Sequence, residues 1–157
     1  MTATVHATAV LVGARAVLIR GPSGAGKSRL ALALIDAARA GALRFAILVG
    51  DDRVHLSSAA GRLLVRPATA LGGLVEVRGV GIMGMPYEPC AVVGLAVDLG
   101  ADAERLPADG QRQTVIEGIT LPRLAVAAAD DALRPLLVLL TCPPEAFSEP
   151  RDTVLGN

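Results

Sequence analysis

The stretch Gly21-Pro22-Ser23-Gly24-Ala25-Gly26-Lys27-Ser28 limits what this chain can fold into more than any other. Gly21, Gly26, Lys27 and Ser28 complete the pattern GxxxxGK[ST], with Gly24 as an additional glycine. Glycines let successive backbone N–H groups turn inward toward phosphate oxygens. A helix opening at that point directs its positive end at the same anion. In this arrangement a lysine at position 27 reaches the β- and γ-phosphates, and a serine at position 28 offers a hydroxyl to Mg²⁺. The flanks fit: "AVLIR" before the loop is β-rich, and the helical spacing of Leu30, Leu34 and neighbouring alanines predicts a helix from Lys27 to about Ala40, stopped by Gly41. Strand, glycine loop and helix in this order predict an α/β domain with a mixed sheet.

The 157 residues make one ordinary domain, 52% apolar but only 2% aromatic, so its core must be aliphatic. Net charge is zero, which argues against broad attraction to nucleic acid or anionic lipid. No apolar run is long enough to span a membrane; the longest candidate, "LRPLLVLL", is broken by Arg134 and Pro135. The N-terminus lacks a signal peptide pattern, and a cytoplasmic protein is expected. Cys90 and Cys142 lie far apart outside any CxxC or CxxH pattern, as two free thiols would.

"HATAVLV" and "AVLIR" flank "GAR", which reads as a hairpin turn. Centred on Gly13 and Ala14, the hairpin pairs positions summing to 27 and sets His6 opposite Gly21, at the mouth of the loop. "FAILVG" reads as a buried strand ending at Asp51 and Asp52. "VHLSS", "RLLVRP", "LVEVR" and "AVVGLAVDL" are further strands, with turns at Gly61 and Gly72-Gly73. "ERLPADGQRQTV" is polar and turn-rich, and "LRPLLVLL" fits either a strand or a short helix. The domain is expected to span 1–142, with 143–157 a loose tail containing three prolines.

Two acids at the end of a buried strand after the phosphate loop stand where such folds place a magnesium carboxylate. One of Asp51 and Asp52 can face the metal while the other faces an acceptor as general base. Alternation along "LVEVRGVGIM" puts Glu76 and Arg78 on one face, ahead of a flexible loop at Gly79 and Gly81. From spacing alone this pair reads first as a surface ion pair before a turn.

Together, "VHATAV", "GPSGAGKS", "VGDDRV" and "EVRGVGIM" resemble the catalytic domain of the HPr kinase/phosphorylase family, from about Val5 to Val126. The last element discriminates, since the phosphate loop is shared by many families. The resemblance implies a fold like the nucleotide-binding core of phosphoenolpyruvate carboxykinase. It implies ATP- and Mg²⁺-dependent phosphorylation of a serine on HPr, the phosphocarrier protein of the bacterial sugar phosphotransferase system, by a homo-oligomer. It matches His6 to a histidine that interacts with the catalytic acid, Lys27 and Ser28 to phosphate- and metal-binding residues, and Glu76 to a second metal ligand. It gives the base role to Asp52, with Asp51 as the alternative, and aligns Arg105 with a family arginine. Only five residues precede His6, so a short form without the family's N-terminal domain is expected. The family's "PGRN" segment, which serves dephosphorylation by phosphorolysis, has no counterpart near "LAVAAADDALRP"; weak phosphorolysis is expected. A small-molecule kinase or NTPase on the same loop, and a nucleotide sensor without chemistry, are the competing readings.

Overall fold

The computed structural model describes residues 3–142 apart from 69 and 71. The expected tail at 143–157 lies outside the described residues. The chain begins with β1 (Thr4–Val5), β2 (Ala7–Val12) and β3 (Arg15–Arg20), followed by α1 (Lys27–Arg39). Strands β4 (Ala46–Gly50), β5 (Val54–Ala59), β6 (Arg62–Pro67), β7 (Leu74–Val77), β8 (Gly81–Gly84) and β9 (Ala91–Leu99) come next. A hairpin of β10 (Gln113–Ile116) and β11 (Ile119–Val126) leads into α2 (Leu133–Thr141).

Among the described residues nine strands form one mixed sheet, in the order β1-β5-β6-β9-β3-β2-β4, with β11 parallel to β9 and β10 antiparallel to β11. β3 and β9 run parallel; β2 is antiparallel to both β3 and β4. The hairpin has the expected register, from Val12 opposite Arg15 to Ala7 opposite Arg20. Alternation along the central strands sends Val17 and Ile19 to the face covered by α1, and Ala16 and Leu18 to the face covered by β5 and β6. Both faces are buried, so these strands read as unbroken apolar runs.

Helix α1 opens at Gly26, whose φ of 98° suits glycine, and carries no acidic residue in its first turn. It ends as the sequence predicts: Gly41 N–H donates to Ala38 and Ala42 N–H to Ala37, with Gly41 at φ 87°. "LRPLLVLL" is helical. Pro135 falls in the first turn, where its missing N–H would have had no intrahelical partner, and buried Leu136 packs into the core beside α1.

Strands β8, β10 and β11 differ from expectation. The glycine-containing segment after Arg78 is a strand: β8 pairs with β7, Glu76 opposite Ile82 and Val77 opposite Gly81, closed by a bond from Val80 N–H to the Val77 carbonyl. The end of the polar stretch, Gln113–Ile116, is strand β10, joined to β11 by Glu117 and Gly118 at φ 49° and 75°. Successive positive φ values are those of a two-residue hairpin turn. Among the described residues no helix is long and apolar enough to cross a membrane.

Candidate active site

The phosphate loop leaves the end of β3 and enters α1 between the ends of β2 and β9. A Cβ on Gly21 would stand 2.9 Å from the Leu99 carbonyl oxygen of β9, so only glycine lets the loop begin this close to its neighbour. Lys27 is buried, and its Nζ donates to the carbonyls of Gly21 and Pro22 at 2.8 and 3.1 Å. The ammonium therefore lies within the curl of the loop, where a phosphate chain would pass.

Ser28, one residue further along α1, turns toward β4. Its hydroxyl donates to both oxygens of Asp51, at 2.7 and 2.9 Å. Thr8, fully buried on β2, donates to the same carboxylate at 2.8 Å. The Thr8 hydroxyl also accepts the Asp52 N–H, at 3.3 Å, so one side chain braces both acids.

The two carboxylates diverge. Asp51 is 4% exposed, whereas the Asp52 side chain is 62% exposed. Asp52 has φ 67°, a left-handed conformation uncommon outside glycine but open to aspartate. That turn breaks the strand alternation and sends Asp52 outward, to His6 Nε2 at 2.7 Å. The hairpin thus delivers two side chains to the two acids: Thr8 near the start of β2, and His6 from the bend just before that strand.

Behind the loop, Arg20 grips Asp98 of β9 through Nε at 2.7 Å and Nη2 at 2.9 Å, and Arg123 of β11 reaches the same carboxylate at 2.5 Å. Burial, the largest single influence, pushes the Asp98 carboxyl upward. The hydrogen bonds and charges of Arg20 and Arg123 together outweigh it, and hold Asp98 below its ordinary value.

Glu76 and Arg105 stand apart. Glu76 lies on the exposed side of β7, opposite buried Val75, and its carboxylate makes no hydrogen bond or ion pair among the described residues, with Arg78 or with any other side chain. Arg105 is exposed in the irregular segment after β9. No three His, Cys, Asp or Glu side chains gather as a metal cluster among the described residues. The donors that do meet are the Ser28 hydroxyl and the Asp51 carboxylate, hard oxygens of the kind Mg²⁺ accepts beside substrate phosphates and water.

A family model described as the HPr Serine kinase C-terminal domain matches residues 1–87. The chain belongs to this family. Curated relatives include the HPr kinase/phosphorylase of Streptococcus salivarius, 34% identical over 136 residues, covering 78% of this chain and 41% of the relative. That of Mycoplasma mycoides subsp. mycoides is 37% identical over 81 residues, 52% of this chain and 24% of the relative. The chain thus corresponds to less than half the length of these proteins. Among solved structures, the Hpr(Ser) kinase/phosphatase from Coxiella burnetii superposes with a TM-score of 0.67 at 27% identity, covering 88% of this chain and 86% of that one. The α/β fold with its mixed sheet is therefore that of an HPr serine kinase domain.

Within this family member, Thr8 is the site residue that motif reading passes over. Its signal is a hydroxyl in the middle of the apolar run "ATAVLV", two positions after His6. Asp98 and Arg123 lie outside every motif, and their meeting with Arg20 depends on the parallel pairing of β3 and β9.

Proposed function

We propose that this domain transfers the γ-phosphate of ATP, with Mg²⁺, to a serine hydroxyl of the phosphocarrier protein HPr. The observation that carries the proposal is the pairing of two differently placed acids beside one phosphate loop. The buried acid, Asp51, shares its oxygens with Ser28, while the exposed one, Asp52, is held by His6. Lys27 neutralises charge on the phosphates. Ser28 and Asp51 would hold Mg²⁺, which neutralises and orients the phosphates when bound. Glu76 is assigned as a further metal ligand on family resemblance alone.

Asp52 accepts the proton of the acceptor hydroxyl, and its exposure leaves room for a protein substrate to approach. His6 orients the carboxylate through the 2.7 Å contact and does not itself take the proton. Arg105 is assigned a catalytic role on family resemblance alone. The protein works in the cytoplasm and assembles with copies of itself. Phosphorolysis is weak, because the stretch "LAVAAADDALRP" has no counterpart of the family's "PGRN" segment.

The test is incubation with ATP, Mg²⁺ and the HPr of the same organism, followed by mass spectrometry of HPr. Addition of one phosphoryl group to a serine is expected. ATP turnover with untouched HPr would refute the acceptor and favour a small-molecule kinase.

A further inference from the structure

The phosphate loop borders an open cleft of about 770 Å³ that the motifs leave without a role. One wall is the loop with the first turns of α1; the other is the segment from Val126 to Leu133, between β11 and α2. The cleft lies on a definite side of the loop. Strands β2 and β4 lie to one side of β3, with Thr8 on β2, His6 just before it and the two acids just after β4; β9 lies on the other side, with β11 beyond it. A phosphate chain whose reacting end is at Asp52 therefore has its opposite end at this cleft.

Its lining is nearly all alanine, glycine and aliphatic residues, with polar side chains only at Ser23, Arg29, Asp130 and Asp131. Asp131 is engaged, accepting the Leu133 N–H at 3.0 Å at the start of α2. There is no aromatic residue for a base to stack on. Arg29 carries the one guanidinium plane available. It shares a helix face with Ala33, four residues on, while Ser28 one step earlier faces Asp51. Arg29 is exposed and makes no hydrogen bond or ion pair among the described residues. Guanidinium planes stack on flat rings in a way an ammonium cannot.

We propose that this cleft is the nucleoside subsite, and that the guanidinium of Arg29 is the surface on which the base of the triphosphate lies, with the small side chains of Ala128 and Ala129 leaving room opposite. The proposal rests on the loop holding a nucleoside triphosphate, as proposed above, and not on the identity of the acceptor.

The experiment compares binding of ATP and of inorganic tripolyphosphate, each with Mg²⁺, by calorimetry. Tripolyphosphate has the phosphates but no base. Arg29→Ala should weaken ATP by about tenfold, within the range of one base stacking on a planar side chain, and leave tripolyphosphate unchanged. Arg29→Lys should stay weak although it keeps the charge, and Arg29→Trp should restore affinity. Arg29 is exposed, so these variants are expected to fold. Parallel weakening of both ligands, or recovery with lysine, would make Arg29 a phosphate contact and overturn the proposal. Unchanged ATP affinity would place the base elsewhere. Normal ATP binding with no phosphorylation of HPr would sink the acceptor reading and leave this one standing.

Discussion

Thr8→Val tests whether the buried half of the site is built as described. Valine has nearly the shape of threonine, so no cavity forms; what disappears is the hydroxyl 2.8 Å from Asp51 that also accepts the Asp52 N–H. A hydrogen bond to a charged group contributes about 1.5–3 kcal/mol. Asp51 keeps both contacts from Ser28, so the loss belongs in the lower half of that range, about 2 kcal/mol. For a chain of this length that is a fall in melting temperature of about 4–8 °C. Thermal unfolding followed by circular dichroism measures it directly.

The stronger check is a cycle with Ser28→Ala. Each single variant leaves Asp51 one hydroxyl partner, but the double variant strips both from a carboxylate that is 4% exposed. An unpaired buried charge costs more than either lost bond, so the double variant should exceed the sum of the singles by more than the ~0.5 kcal/mol scatter of additive pairs. A Thr8→Val shift below about 1 °C, or strict additivity with Ser28→Ala, would refute the shared-carboxylate argument.

Asp52→Asn should lower phosphate transfer by about 10²–10⁴-fold while nucleotide affinity stays within about threefold, because a base acts on the chemical step; parallel loss of nucleotide binding would make Asp52 a metal ligand. Ser28→Ala should raise the Mg²⁺ concentration required for transfer more than Glu76→Gln does, since Ser28 already meets Asp51 and Glu76 stands alone on β7; the reverse order in a Mg²⁺ titration would place Glu76 in the metal shell. Asp98 is held below 3.8 in the folded protein, so the unfolded chain binds more protons between the two values. Its stabilising contribution should be complete above about pH 5 and fall away as pH drops through the folded value. Urea unfolding across that window should show a shallower acid slope in Asp98→Asn than in the wild type; identical slopes would exclude Asp98 as a contributor.

The parts of the fold legible in the sequence are those written in local periodicity. The β2–β3 register follows from a turn at Gly13, and α1 with its stop follows from helical spacing and Gly41. β11 escaped because Pro122 and Arg123 interrupt its apolar run, and because half its pairing is with β9, distant in sequence. The only local trace of its hairpin was Gly118 between "TVI" and "ITL". The Arg20–Asp98 contact joins residues 78 positions apart, which no local pattern encodes. The ambiguity of "LRPLLVLL" is of another kind: a short apolar run has no decisive period, and tertiary packing of Leu136 beside α1 decides it.

The acidic pair lies between these cases. "GDD" announces two carboxylates, but nothing in the two letters assigns them different tasks. The assignment comes from two backbone facts outside the motif. The positive φ of Asp52 turns it away from its neighbour, and β2, lying between β3 and β4, presents Thr8 to one acid and His6 to the other. A slip of one residue in the β2–β3 pairing would turn Thr8 to the other face and shift the bend that carries His6. The turn at Gly13 and Ala14, at the far end of the hairpin from the acids, therefore helps set whether both carboxylates find their partners, while the φ of Asp52 sets which of them is exposed.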